Sequence, residues 1–229
     1  MSRLVLFRNP DKKFQEKWYS GRHPLNFPHA FRACLYGKTG CGKTTVILNM
    51  ILKQKPRFQR IIISHGAWKT TKEYDKPLGK GLFEIRGDIP HEDEIDGVRK
   101  TLLIIDDIDL KALKDRKDDD GLIRLKKMFK HVSSHRNLSI ICSTHYLFEA
   151  PVVVRHCSDI FIVWKPNDMS AIKKMSKRVG LYSSELERIF LENCKKKHDA
   201  VWIDQTPRTR FPIRINGTLK VKGPKPKFF

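Results

Sequence analysis

Residues 37 to 44 read Gly37-Lys38-Thr39-Gly40-Cys41-Gly42-Lys43-Thr44, a full match to the pattern GxxxxGK[ST]. That spacing suits one kind of chemistry. The glycines let consecutive backbone N–H groups turn inward around a phosphate chain, and a helix starting near Lys43 presents its positive end to the same anion. Lys43 is then placed to reach the β and γ phosphates of ATP, and the Thr44 hydroxyl to ligate Mg2+, with Thr45 next in the same phosphate-binding set. Any one of these glycines alone is a simple turn; the complete pattern between a strand-like and a helix-like run argues for a nucleotide.

A phosphate loop calls for a second element, a buried strand that carries a carboxylate to the metal. Leu102-Leu103-Ile104-Ile105-Asp106-Asp107 has that form. Asp106 takes the metal role and Asp107 that of a base for the attacking water. Two acids after a strand also serve as a turn or cap, the reading preferred for Asp109. The next apolar run, LSIICST, ends in Thr144 and His145. One of the two is the candidate sensor of the γ phosphate; a lone His after a strand is otherwise a surface residue.

These residues need a scaffold, and the rest of the chain describes one. FRACLY (31–36), RIIIS (60–64), TLLIIDD (101–107), LSIICST (138–144) and DIFIVW (159–164) are continuous apolar runs, with LFEI (82–85) a minor one. Separated by helical patterns or loops, they predict an α/β fold with a mostly parallel, covered central sheet. TTVILNMILKQ is helical and stops before Lys55-Pro56, whereas KALKDRKDDDG (111–121) is too charged for a core and reads as an exposed loop or helix start. GLIRLKKMFKHVSSH (121–135) has Leu122, Leu125, Met128, Phe129 and Val132 at helical spacing with lysines between. AVWID (200–204) and FPIRI (211–215) predict a terminal hairpin. The expected organisation is an N-terminal arm over 1–30, an ATPase domain over 31–205, and a strand with a basic tail over 206–229.

The chain has 229 residues and a net charge of +21. Such an excess concentrates polyanions, nucleic acid first among them. Cys34, Cys41, Cys142, Cys157 and Cys194 are odd in number and show no CxxC spacing, as expected of reduced thiols inside a cell. The apolar run in MSRLVLFRNP is too short for a signal peptide, and no window approaches the ~20 apolar residues that cross a bilayer.

The phosphate loop does not choose among its users. No NKxD-like element follows the fourth strand, which argues against a GTPase, and segment 111–121 holds only Arg116 where a kinase lid would carry several arginines. "LYGKTGCGKTT", "LLIIDDID" and above all "FKHVSSHRNLSIICSTHYLF" followed by "DIFIVWKPND" resemble the genome-packaging ATPases of poxviruses, related large DNA viruses, virophages and Polinton-type elements. Those belong to the FtsK–HerA superfamily, and the resemblance spans roughly residues 30 to 205. It implies a RecA-like P-loop ATPase forming a homo-oligomeric ring at a capsid vertex, driving double-stranded DNA into a preformed shell in the host cytoplasm or nucleus, or carried in the virion. It also implies capsid or vertex proteins as partners, and Arg136 as an arginine that completes the neighbour's site, with Arg124 and Arg155 in reserve; the competing reading of Arg136 is a helix-end arginine bound to backbone carbonyls or DNA phosphate. Where the family commonly has Thr-Gln after the fourth strand, this chain has Thr144-His145. DNA contact is expected from Lys114, Arg116, Lys126, Lys127 and Lys130, and from Lys220, Lys222, Lys225 and Lys227 in the tail. The competing readings are another DNA-translocating or helicase-type ATPase, a nucleoside or nucleotide kinase, and a noncatalytic DNA-binding switch.

Overall fold

The computed structural model describes residues 25–79, 81–115, 120–166, 168–206, 209 and 212–221. The N-terminal residues Phe14, Trp18, Tyr19 and Pro24, and the proposed DNA contacts Arg116, Lys222, Lys225 and Lys227, lie outside them.

Arg32–Tyr36 forms β1 and Lys43–Lys53 forms α1. β2 (Arg60–His65), α2 (Asp75–Leu78), β3 (Glu84–Arg86) and β4 (Thr101–Asp106) follow. Then come α3 (Leu110–Asp115), α4 (Asp120–Lys127), β5 (Leu138–Thr144), α5 (Val152–Cys157) and β6 (Ile160–Trp164). The chain closes with α6 (Met169–Val179), α7 (Ser183–Asn193), β7 (Ala200–Asp204), β8 (Ile213–Ile215) and β9 (Leu219–Lys220).

The strands form a single nine-stranded sheet in the order β3-β2-β4-β5-β1-β6-β7-β8-β9. From β3 to β6 every pairing is parallel; β7, β8 and β9 extend it antiparallel. Alternate residues of each central strand enter different cores. Leu103, Ile105, Ile140 and Cys142 pack with α4, α5, α6 and α7; Leu102, Ile104 and Ile141 pack with α1, Phe27 and Trp202. Burial on both faces is why these runs are apolar throughout instead of alternating. The fold is thus the α/β P-loop class with a small C-terminal hairpin.

Several local expectations change. The minor strand begins at Glu84, not Leu82, because Leu82 is exposed. Of the two readings of the charged segment after β4, loop or helix start, the structure takes the second: it forms α3, anchored by buried Leu110 and by Leu113 against the core. Asp109 caps it, its Oδ1 accepting from the Ala112 N–H at 2.8 Å. The amphipathic stretch 121–135 is helical throughout, but with a π-turn over Met128–Val132 before a last turn at Ser133–His135. The wider turn keeps Leu125, Met128, Phe129 and Val132 all buried. Residues 169–193, where no element is expected from the sequence, supply α6 and α7.

Candidate active site

Parallel strands deliver their carboxyl ends to one edge, and the crevice beyond that edge is where α/β proteins bind ligands. Here Tyr36 of β1 is paired with Thr144 of β5, and His65 of β2 with Asp106 of β4. The loop after β1, the acids ending β4 and the histidine after β5 therefore meet.

Gly40 and Gly42 have φ of +71° and +107°, backbone that side chains disfavour, and Gly42 immediately precedes α1. Gly37 is required for space: a Cβ there would lie 2.6 Å from the Cys41 sulfur and 2.9 Å from the Trp164 ring. Its N–H donates to the Thr144 carbonyl at 3.2 Å, tying the loop to β5. Lys43 is buried, and its Nζ donates to the carbonyls of Gly37 at 2.7 Å and Lys38 at 3.3 Å. The ammonium thus lies across the loop. Lys38 and Thr39 are exposed, as is Thr45 in the first turn of α1. Burial pushes the Cys41 thiol up, so it stays neutral within the loop.

Asp106 is 2% exposed. Its Oδ2 accepts from the Thr44 hydroxyl at 3.4 Å and the Tyr74 hydroxyl at 2.6 Å, and its Oδ1 from Ser143. Asp107 differs in every respect. Its backbone is left-handed (φ +51°) and its side chain half-exposed, with Oδ1 3.3 Å from His145 Nε2 and Oδ2 3.9 Å from His65 Nε2. Gly66 permits this turn, since a Cβ at that position would stand 2.3 Å from the Asp107 carbonyl oxygen. His145 completes the arrangement through Nδ1, 3.3 Å from Lys43 Nζ and 3.4 Å from Thr39 Oγ1. With the proton on Nε2 the ring donates to Asp107, and Nδ1 accepts from one of Lys43 and Thr39.

Of the two sensor candidates only His145 faces the loop. The Thr144 hydroxyl donates to the Tyr146 carbonyl at 2.9 Å and toward Glu149 at 3.4 Å. Arg136 is at the other end of β5, about 20 Å from this edge over six strand steps. Its Nη1 donates to the carbonyls of Glu92 at 2.7 Å and Ile95 at 3.3 Å. Arg124 pairs with Asp120, and Arg155 donates to the Ala150 carbonyl. Among the lysines expected on DNA, Lys126 and Lys130 are exposed, whereas Lys127 is paired with Glu92 at 2.7 Å.

Four contributors were not expected from sequence. Tyr74 and Ser143 hold Asp106, His65 approaches Asp107, and His198 Nδ1 lies 3.0 Å from the Cys41 carbonyl oxygen. Ser143 and His65 could have been found, since each stands near the carboxyl end of an apolar strand, as Asp106 does. Tyr74 and His198 carry no such signal.

Residues 33–166, more than half the chain, match the ATPase family associated with various cellular activities (AAA). The chain belongs to the AAA ATPase family. It is accordingly a P-loop ATPase. No curated protein matches the sequence. Among solved structures, this AAA protein is similar to the genome packaging NTPase B204 of Sulfolobus turreted icosahedral virus 2 in complex with AMPPCP. The two are 17% identical with a TM-score of 0.56, over 84% of this chain and 97% of that one. B204, the DNA-packaging ATPase from Sulfolobus turreted icosahedral virus, gives 16% and 0.57 over 81% and 96%. The pCW3 conjugation coupling protein TcpA, with ATPγS, gives 12% and 0.51 over 77% and 58%. At these identities the likeness speaks to the fold. No helix among the described residues is long and apolar enough to cross a membrane.

Proposed function

We propose that this AAA ATPase is an ATP-driven double-stranded DNA translocase that packages a viral genome into a preformed capsid. The observation that carries the reading is an ATPase site on a chain of net charge +21, since a motor on a polyanionic track needs both. The sequence resemblance to FtsK–HerA packaging ATPases supports it, as does the likeness in fold to B204, itself a DNA-packaging ATPase.

Lys43 leaves the carbonyls of Gly37 and Lys38 for the β and γ phosphates. Asp107 takes the proton of the attacking water, and His145, between Asp107 and Lys43, aligns that water with the phosphate. The donors near Thr44 suit Mg2+: a hydroxyl and a carboxylate, both hard oxygen ligands, 3.4 Å apart. Among the described residues no group of three or more His, Cys, Asp or Glu could hold a metal alone. That too fits an ion which shares its ligands with phosphate. Bound there, Mg2+ would offset the negative charge developing on the phosphate oxygens. Thr44 and Asp106 would hold it.

Arg136 is too far from its own nucleotide to act on it, so its catalytic role requires a neighbouring subunit and a homo-oligomeric ring. Capsid or vertex proteins are the further partners, and virus assembly sites in the host cytoplasm or nucleus, or the virion, the place of work.

The test is ATP turnover of the purified protein with and without double-stranded DNA across a salt series. Stimulation several-fold at low salt is expected, with log affinity for DNA falling against log salt by about 0.9 per phosphate neutralised and little dependence on base sequence. Turnover indifferent to DNA, or phosphate transfer to a nucleoside, would overturn the reading.

A further inference from the structure

We infer that Tyr74 is a positioning residue for the ATPase reaction: it fixes the carboxylate of Asp106 in the orientation that receives the divalent cation. The inference rests on the metal role given to Asp106 above and extends it to a residue outside every phosphate-loop motif.

Tyr74 is 1% exposed, just ahead of α2, in the connection between β2 and β3. Its ring packs against Phe83, with centroids 6.4 Å apart, and lies in the core beneath α1. The hydroxyl donates to Asp106 Oδ2 at 2.6 Å, the same oxygen that the Thr44 hydroxyl approaches at 3.4 Å. Ser143 donates to the other oxygen. Asp106 is therefore gripped from both sides, and its rotamer is set by Tyr74 and Ser143 whether or not Thr44 turns to a cation.

A carboxylate held this way loses little freedom when a cation arrives, and its buried charge is met before then. Neither benefit needs the phenol to touch the cation. Hydrogen-bond partners of metal ligands commonly change metal affinity about ten- to a hundredfold when removed. Tyr74→Phe deletes the hydroxyl and keeps the ring and its packing.

The probe is Mn2+, titrated by its paramagnetic resonance signal into protein saturated with a non-hydrolysable ATP analogue. Affinity for the analogue is measured separately in EDTA. Tyr74→Phe should weaken Mn2+ binding about tenfold, leaving metal-free analogue affinity within about twofold of the parent. The two substitutions should not add: in an Asp106→Asn background, Tyr74→Phe should have little further effect. Equal Mn2+ affinity in Tyr74→Phe and parent overturns the inference, as does an equal loss of analogue affinity with and without metal, which is the mark of a merely structural role. If Tyr74→Phe does not fold, Ser143→Ala probes the same grip from the other oxygen, and an unchanged Mn2+ affinity there counts against it equally. Should Asp106→Asn itself leave Mn2+ binding intact, the metal assignment fails, an outcome distinct from failure of Tyr74 alone.

Discussion

Nε2 of His145 stands 3.3 Å from Oδ1 of Asp107 while Nδ1 of the same ring stands 3.3 Å from Nζ of Lys43. One imidazole thus bridges the side chains of Lys43 and Asp107, which carry the proposed phosphate-binding and proton-accepting roles. In the proposed mechanism Lys43 must exchange some of its bonds to the Gly37 and Lys38 carbonyls or to His145 for bonds to phosphate.

Lys43→Ala and Asp107→Asn should separate binding from turnover. Lys43→Ala removes the buried counter-charge, and affinity for ATP should fall about tenfold or more. Asp107→Asn should leave affinity within a few-fold and slow turnover about a hundredfold or more. Nucleotide titration and single-turnover hydrolysis measure the two quantities. Equal loss of affinity in both variants contradicts the division of labour, and if Asp106→Asn is the one that binds without hydrolysing, the two acids exchange roles.

The sensor pair is separated by a similar contrast. His145→Ala should lower turnover about ten- to a hundredfold, and His145→Gln, which keeps a donor and an acceptor, should recover part of it. Thr144→Val removes a bond to the Tyr146 carbonyl and should cost about 1 kcal/mol of stability with turnover little changed. A Thr144→Val variant that folds normally but does not hydrolyse ATP would return the role to Thr144.

Arg136→Ala subunits should bind ATP normally and hydrolyse it poorly, because a guanidinium acting on the transferring group matters only as charge develops. Mixed with Lys43→Ala subunits they should regain activity, since some sites then pair an intact loop with an intact arginine. No recovery in a mixture shown to co-assemble removes Arg136 as a partner's arginine. Loss of its bonds to Glu92 and Ile95 should appear separately, as a lowered melting temperature.

His29 makes stability depend on pH. Burial, with help from the Lys100 charge, lowers its pKa from 6.5 to about 4. A group whose pKa is lower in the fold takes up a proton on unfolding, so stability falls as pH drops from 6.5 toward 4 and is insensitive to this group above that window. Its part of the loss at pH 4 should be about 2 kcal/mol after allowance for partial exposure. Urea denaturation at pH 7 and pH 4.5 of parent and His29→Gln should show the smaller change in the variant. Identical changes would mean other groups account for the pH dependence.

The central sheet is legible in the sequence because strands covered on both faces must be apolar at every position, as in Leu102 to Ile105. The phosphate loop is legible because its requirements are local: glycines at left-handed turns and a lysine at a helix start. Tyr74 is not, because it reaches Asp106 from 32 residues away, out of a segment with no period. The π-turn at Met128 leaves the apolar spacing of a helix nearly intact. In α6, Ala171, Ile172, Met175 and Val179 do recur at helical spacing, but lysines and an arginine between them dilute the signal.

The left-handed backbone at Asp107 restricts which side chains can occupy that position independently of the chemistry required there. Asp and Asn tolerate such a conformation better than other side chains. An exchange of Asp107 for Glu, conservative on paper, changes both the reach of the carboxylate and the ease of the turn, and Ala removes the acid while straining the same turn beside Gly66. Of the three, only Asn tests the proposed proton acceptor with the main chain left as it is. A scan that used alanine at every position would charge to catalysis an effect that belongs partly to the backbone.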